Sequence, residues 1–320
     1  MKLIIIGSGM SGMLASIANS QTSPCLFEAS DSAVGMGSHL AVMRFRDERV
    51  PMMLGSEYFK VRVTKAIFYH NTIYKQCTPQ FNNLYSIKTS NHLGVRSISN
   101  LEDAERFVIK DTSSIRFETS KVFYSHRLVR LECEGASNFA VFQHQDKEVR
   151  VGYDFCISTI PLNCIATAAK LAGDTSAFKC SPVWITKCLL GISSSVYQTV
   201  YFPSPETAAY RASLEGKQLT IESVDAIKPE DLELVARALG LTPSLYSTTT
   251  LNRKRPMGKI IPVEDDFRKS LVCELTDKWS VYSLGRYAIW KSIRSDEVIG
   301  DIEMIKKMMH SRYLTTSLRK

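Results

Sequence analysis

Lys2-Leu3-Ile4-Ile5-Ile6-Gly7-Ser8-Gly9-Met10-Ser11-Gly12 opens the chain, and Cys25-Leu26-Phe27-Glu28 follows it. Leu3 to Ile6 is an unbroken apolar run rich in isoleucine, the pattern of a strand buried on both faces of a parallel sheet. The run breaks into glycines at 7, 9 and 12, the spacing G-x-G-x-x-G. Met13, Leu14, Ile17 and Ala18 then recur as one face of a helix. Cys25 to Phe27 reads as a second strand, and Glu28 closes it 21 residues after Gly7.

Each part of this unit has a physical task. Gly7 permits a tight turn, Gly9 lets backbone approach a pyrophosphate, and Gly12 lets helix and strand pack closely. The helix start presents N–H groups and a partial positive charge to the pyrophosphate. Glu28 accepts hydrogen bonds from the adenosine ribose hydroxyls. An acid there disfavours a 2′-phosphate, which puts FAD or NAD ahead of NADP. The candidate contacts are therefore Gly7, Ser8, Gly9, Met10, Ser11, Gly12, Glu28 and Ala29. The fold class that follows is α/β, a Rossmann-like domain with a parallel sheet, joined to an inserted α+β lobe.

After Glu28 the chain reads Ala29-Ser30-Asp31-Ser32-Ala33-Val34-Gly35-Met36-Gly37. An acid followed by two glycines resembles the extended FAD fingerprint of the amine oxidase and UDP-galactopyranose mutase group of flavoproteins. The resemblance implies FAD rather than NAD, with Gly35 and Gly37 at the cofactor. Where that fingerprint continues Gly-Gly-Arg, this chain has Gly37-Ser38-His39, so the arginine contact is absent. His39, following the glycine pair, is the candidate catalytic residue.

Farther along, Tyr153 to Leu162 holds a buried strand, Phe155 to Ile157, stopped by Pro161. It resembles the strand by which these flavoproteins return to the dinucleotide domain, ending in a Ser/Thr-x-Pro turn, here at Thr159. The same resemblance implies that the backbone of Leu128 and Val129 meets the adenine. Before that strand, Lys121 to Tyr124, His126 to Glu132, Phe139 to Gln143 and Glu148 to Val151 alternate like a small antiparallel sheet. Near the end, Val281 to Lys291 contains Gly285-Arg286-Tyr287 and Trp290, and Ser295 to Val298 opens a helix expected to run through Met309. This resembles the Gly-Arg-(Tyr/Phe)…Trp block that closes the FAD site in mutase-like proteins. By that likeness Gly285 approaches the cofactor, Arg286 contacts phosphate, and the backbone of Glu297 and Val298 serves the flavin. The expected division is a discontinuous FAD-binding domain, 1–40 plus 120–165 plus 280–320, and a substrate lobe, 41–119 plus 166–279.

The rest of the chain narrows the function class. Its 320 residues, 44% hydrophobic and 22% charged, suit a globular protein. The net charge of +8 favours anionic partners. Between Arg44 and Lys75 stand seven Lys or Arg against three acids, interleaved with aromatics. Arg253-Lys254-Arg255-Pro256 reads as a basic turn. Lys228 to Leu239 reads as a helix stopped by Gly240. Eight cysteines without a CxxC pair suit a reduced, cytoplasmic setting, and no leader or membrane span is expected. H-E-x-x-H, Walker and G-x-S-x-G motifs are absent, so zinc hydrolases, P-loop ATPases and lipase-like enzymes are disfavoured, and no metal is expected.

As a whole the chain resembles the compact FAD-dependent lyases that some bacteriophages encode for thymine hypermodification. That resemblance implies action on glycine attached to thymine in duplex DNA, leaving an aminoethyl-type base and helping phage DNA evade restriction in the host cytoplasm. The alternatives are a UDP-sugar mutase-like or amine-oxidising flavoenzyme, and a flavin-binding protein without turnover.

Overall fold

The computed structural model describes residues 1–32, 44–70, 72–74, 79–89, 104–109, 121–171, 173–242 and 246–317. In chain order its first half holds β1 (Leu3–Ile6), α1 (Met10–Ala18), β2 (Cys25–Phe27), β3 (Arg44–Phe45), α2 (Arg49–Leu54), β4 (Phe59–His70), β5 (Thr72–Tyr74), α3 (Pro79–Lys88) and β6 (Ala104–Ile109). There follow β7 (Lys121–Phe123), β8 (Arg127–Glu134), β9 (Ser137–His144), β10 (Lys147–Tyr153), β11 (Phe155–Ser158) and α4 (Leu162–Ala168). The remainder is β12 (Cys180–Tyr201), β13 (Ala209–Ser223), α5 (Pro229–Ala238), β14 (Tyr246–Ile260), α6 (Asp265–Trp279), β15 (Val281–Ser283) and α7 (Val298–Ser317).

The fold is mixed α/β, built on a five-stranded parallel sheet in the order β15-β11-β1-β2-β7. Every residue of β1 is buried, because both faces of this sheet are covered. Leu3 and Ile5 pack in one core with Met13 and Leu14 of α1 and Ile302 of α7. Ile4 and Ile6 pack in another with Leu131 and Phe142 of the meander and Leu271 and Leu275 of α6. From β1 the chain order runs outward on both sides, so the crevice between the carboxyl ends of β1 and β11 is a topological switch point, where open α/β sheets bind ligands.

Strands β10, β9 and β8 form a separate antiparallel meander. Lys121 to Phe123 was expected there, but it joins the parallel sheet beside β2. Alternation shows that a segment is a strand, not which strand it pairs with. Here the pairing sets the Phe123 ring on Phe27, with centroids 5.0 Å apart.

The larger sheet follows the order β13-β12-β4-β6-β3, with β14 on β12 and β5 on β4. Arg211 and Glu222 form an ion pair although both lie in β13. A straight strand would hold residues that far apart by roughly 35 Å, so the chain reverses between them, at Gly216 with φ +56. Strand β12 pairs along both arms, with register shifts between Leu189 and Gln198 where it passes the tip. Helix α5 covers one face, packing Val235 and Ala236 on Cys188, Leu219 and Ile221. On the other, Phe81 and Tyr85 of α3 pack on Tyr201 and Ile185.

Two further expectations are corrected. Arg253 to Pro256 is not a turn but part of β14, which tolerates proline because β14 pairs with β12 alone among the described residues and is irregular there. The last helix begins three residues later than expected and continues to Ser317. Residues 295–297 form a turn, in which the Glu297 carboxylate accepts the Arg294 N–H at 2.6 Å. No glycine or proline after Gly300 stops the helix at Met309.

Candidate cofactor site

At the switch point the turn after β1 is fixed from three sides. Gly7 has φ +99, donates its N–H to the Phe27 carbonyl at 2.8 Å, and faces Thr159 at the end of β11. The Thr159 hydroxyl donates to the Ile6 carbonyl at 2.9 Å and lies 3.2 Å from that of Gly7. A Cβ on Gly12 would stand 2.0 Å from the Gly7 carbonyl oxygen, so any side chain there would push helix and turn apart. Gly9 differs, since among the described residues a Cβ there would meet nothing within 4 Å. Gly9 caps α1 without a side-chain hydrogen bond, and the first turn of α1 carries no acid. The N–H groups at Met10, Ser11 and Gly12 thus begin a helix whose first turn carries no acid of its own.

Glu28 is bonded into the same turn. One carboxylate oxygen accepts the Ser8 N–H at 2.8 Å and the Ser8 hydroxyl at 2.7 Å; the other accepts the Ser30 N–H at 3.0 Å. Burial pushes the Glu28 carboxyl up, but the bonds from Ser8 and Ser30 outweigh it and hold it below the usual glutamate value. The acid is therefore ionised at neutral pH. Ala29, next in the chain, is exposed.

The carboxyl-terminal block closes on this turn. Gly285 has φ +91, and a Cβ on it would lie 2.3 Å from the Ser11 hydroxyl oxygen. Arg286 turns inward, its Nε and Nη2 donating to the Ile293 carbonyl at 3.1 and 2.7 Å. That bond braces the loop leading to α7. Trp290 is buried and donates Nε1–H to the Ile261 carbonyl at 3.0 Å. Glu297 is engaged with Arg294, and the Val298 side chain is buried in the core beneath α1.

Along β8 the pairing steps from Leu128 to Arg130, leaving Val129 as the extra residue of a bulge, out of register and exposed. Just before it, the His126 and His144 rings stack with centroids 4.2 Å apart, and the His126 N–H donates to the Glu28 carbonyl. Gly35, Gly37 and His39 lie outside the described residues.

Sequence reasoning named Ser8 and Thr159 as cofactor contacts and Tyr287 and Trp290 as part of the closing block, but missed Ser30 and the bonds by which these residues hold the site in shape. Ser8 and Ser30 position Glu28, Thr159 props Gly7, and Tyr287 and Trp290 reach the carbonyls of residues 257, 258 and 261. Ser8, a hydroxyl inside the glycine turn, and Thr159, in the Ser/Thr-x-Pro turn, carried a local signal. Thr159 acts across more than a hundred residues, Tyr287 and Trp290 act through the β14 segment and the residue after it, and Ser30 acts on Glu28 two residues before it. Ser158 and Ser283 stand opposite each other at the ends of β11 and β15, and both hydroxyls are buried with no partner among the described residues.

These features fit a dinucleotide: open space over Gly9, an uncapped helix start, an ionised acid one turn away, and orphaned hydroxyls at the carboxyl edge of the sheet. Among the described residues no cluster of three or more His, Cys, Asp or Glu could hold a metal. Nor is any described helix long and apolar enough to cross a membrane.

The sequence matches no protein-family model and no curated protein. Solved structures match it in fold. A protoporphyrinogen oxidase-like protein of Exiguobacterium sp. 255-15 has a TM-score of 0.62 at 10% identity, covering 97% of this chain and 99% of that one. A CLA-producing fatty acid isomerase of P. acnes gives 0.62 at 11%, covering 96% and 98%. Aklavinone-11 hydroxylase, solved with FAD and aklavinone, gives 0.54 at 12%, covering 96% of this chain and 62% of that one. This chain shares their fold.

Proposed function

We propose that the chain is an FAD-dependent oxidoreductase. The observation that carries the reading is the open approach over Gly9 at an uncapped helix start, with Glu28 held ionised beside it. The fold shared with a hydroxylase solved with FAD supports it. In this reading the N–H groups at Gly9 to Gly12 take the pyrophosphate and Glu28 takes the ribose hydroxyls. Val129, released from the ladder, offers its backbone to the adenine. Gly285 gives the cofactor close access to the loop that Arg286 braces, and Glu297 and Val298 meet the flavin end. Bound FAD supplies a ring that accepts or returns a hydride. Segments 1–40, 120–165 and 280–320, with α6 packed on them, hold the cofactor, and the remaining segments face the substrate.

For the substrate we propose glycine-bearing thymine in duplex DNA, converted by a lyase reaction to an aminoethyl-type base, in the cytoplasm of a phage-infected host. The resemblance and the net charge of +8 support this reading. The Gly285-Arg286-Tyr287…Trp290 block supports a second one, a mutase-like or amine-oxidising flavoenzyme. Flavin reduction by a free amine or a UDP-sugar, with no response to modified DNA, selects the second. A flavin inert to every donor selects a binding protein without turnover.

Denaturing the purified protein and identifying the released chromophore tests the cofactor. FAD is expected, and tightly bound NADP without flavin overturns the reading. Glu28→Gln removes the charge at the ribose and should weaken FAD binding roughly tenfold. Because Glu28 is held below its usual value, FAD affinity in the unaltered protein should persist at neutral pH and fall as the pH drops through that lowered value.

A further inference from the structure

The two arms of β13 bury two faces of opposite character. Ala212, Leu214, Leu219 and Ile221 pack on one face in the apolar cluster under α5. Alternation along each arm turns Arg211, Ser213, Thr220 and Glu222 to the other face. Their neighbours on β12 agree, since Arg211 stands opposite Tyr201 and Glu222 opposite Ile185, both packed against α3. Ser213, Thr220 and Glu222 are buried there, and Arg211 keeps 23% of its side chain exposed. Apolar side chains would fill such a face without any donor or acceptor to satisfy, so buried polar groups at the middle of the large sheet call for a reason.

The donors of this face are only partly used. A guanidinium carries five N–H donors in a planar fork. Arg211 gives its Nε–H to the Glu222 carboxylate, and among the described residues its terminal N–H groups find no acceptor. Burial pushes the guanidinium down, but the charge of Glu222 and its bond outweigh that and hold Arg211 well above its usual value. It is therefore always charged. The Thr220 hydroxyl, two residues before Glu222 on the same face, is buried with no partner among the described residues. Opposite Thr220 on β12 stands Lys187, half-buried, its ammonium lowered by burial.

We propose that the terminal N–H groups of Arg211 and the hydroxyl of Thr220 form a recess that takes a carboxylate of the substrate. The fork matches the two oxygens of a carboxylate, and the hydroxyl adds a donor from the neighbouring arm. Glu222 is a positioning residue: bonded to Nε, it leaves the terminal nitrogens to the ligand. A phosphate dianion fits less well, because the Glu222 carboxylate beside it repels a second negative charge. That the carboxylate belongs to a substrate rests on the oxidoreductase reading above; the donor set does not. Glycine carried on thymine presents such a group, and so does a free amino acid.

The test is calorimetric titration of the FAD-loaded protein with N-benzylglycine, which joins a ring to a carboxylate through an amine, and with N-methylbenzylamine, which lacks the carboxylate. N-benzylglycine should bind about tenfold or more tightly than the amine. Arg211→Lys keeps a cation for Glu222 but removes the fork. It should weaken N-benzylglycine about tenfold and leave N-methylbenzylamine unchanged. Thr220→Val should cost N-benzylglycine about threefold to tenfold while leaving the melting temperature unchanged or raised, because the hydroxyl has no structural bond to lose. That variant serves as the reading if Arg211→Lys does not fold. Glycine binding as tightly as N-benzylglycine supports the recess with a free amino acid as its ligand. Competition by a duplex carrying glycine-bearing thymine supports it with the group held on DNA. Equal binding of the two probes, losses shared by both probes in the variants, or tighter binding of inorganic phosphate overturns the recess. A flavin-loaded protein that binds neither probe overturns the recess and leaves the FAD reading standing. A protein that releases no flavin overturns the FAD reading instead, and the carboxylate preference of that protein still decides the recess.

Discussion

The meander and the β14 edge are both charged β surfaces, built in opposite ways. On the meander, Glu132 is shared between Arg130 and Arg150, each at 2.8 Å. Arg130 also reaches Glu148 and Arg150 reaches Glu134, both at 2.5 Å. The Arg150 guanidinium lies 3.5 Å above the Phe139 ring. Every one of these cations has an acid within its own three strands. On β14, Arg253 to Lys259 has aromatic support and no acid in its segment or across the ladder. A net charge of +8 does not reveal where that excess is presented. The pairing of strands decides which cations meet acids along a ladder, as Arg130 and Arg150 do on the meander.

The largest expected effect separates the two surfaces by how their strands approach. A Cβ on Gly258 would stand 2.4 Å from the Ser181 carbonyl oxygen, which is backbone and cannot swing aside. Gly258→Ala should cost about 1–3 kcal/mol in urea unfolding. A Cβ on Gly152 of the meander would meet the edge of the Phe139 ring at 3.1 Å and the Asn138 carbonyl oxygen at an ordinary 3.9 Å. Gly152→Ala should cost about 0.5 kcal/mol. Equal losses would show that β14 is not pressed against β12 as described.

A smaller effect comes from making the meander resemble β14. Glu132→Gln removes the acceptor shared by Arg130 and Arg150. The pairs face solvent in part, so the loss of stability should be small. Duplex binding should tighten and its salt slope steepen, because two arginines are partly freed. An unchanged slope would mean that neither arginine can reach phosphate.

The smallest effect is on acidity. Arg150 and then Arg130 hold Glu132 below the usual glutamate value, and Arg130 does the same for Glu148. Carboxyls lowered in the folded state stabilise it above their unfolded pKa and lose that contribution as pH falls through the lowered values. Thermal melts between about pH 5 and about pH 3 should therefore show a modest drop that Glu132→Gln reduces. Gly258→Ala should leave that drop intact, since β14 carries no carboxyl to titrate. A drop of the same size in Glu132→Gln would place the acid-sensitive carboxyls elsewhere.

Much of the parallel-sheet half was legible in the sequence. The turn from Gly7 to Gly12, helix α1, Glu28 and the strand ending at Thr159 follow from local steric demands: a positive φ, a helix start, an apolar run, a proline stop. Such demands act between near neighbours, so they are written in consecutive residues. Tertiary structure decided the rest. It set Phe123 beside Phe27 rather than in the meander, brought Ser11 against Gly285, and turned Arg286 toward Ile293. It neutralised Arg49 with Glu303, 254 residues away, and Lys60 with Glu215, which no count of nearby charges could anticipate. It also drew Arg253 to Pro256 out of a presumed turn into an edge strand, because only the ladder with β12 fixes which backbone groups are paired. Local chemistry specifies turns and periods, whereas strand partners and ion pairs are contests among distant segments, settled only when the whole chain packs.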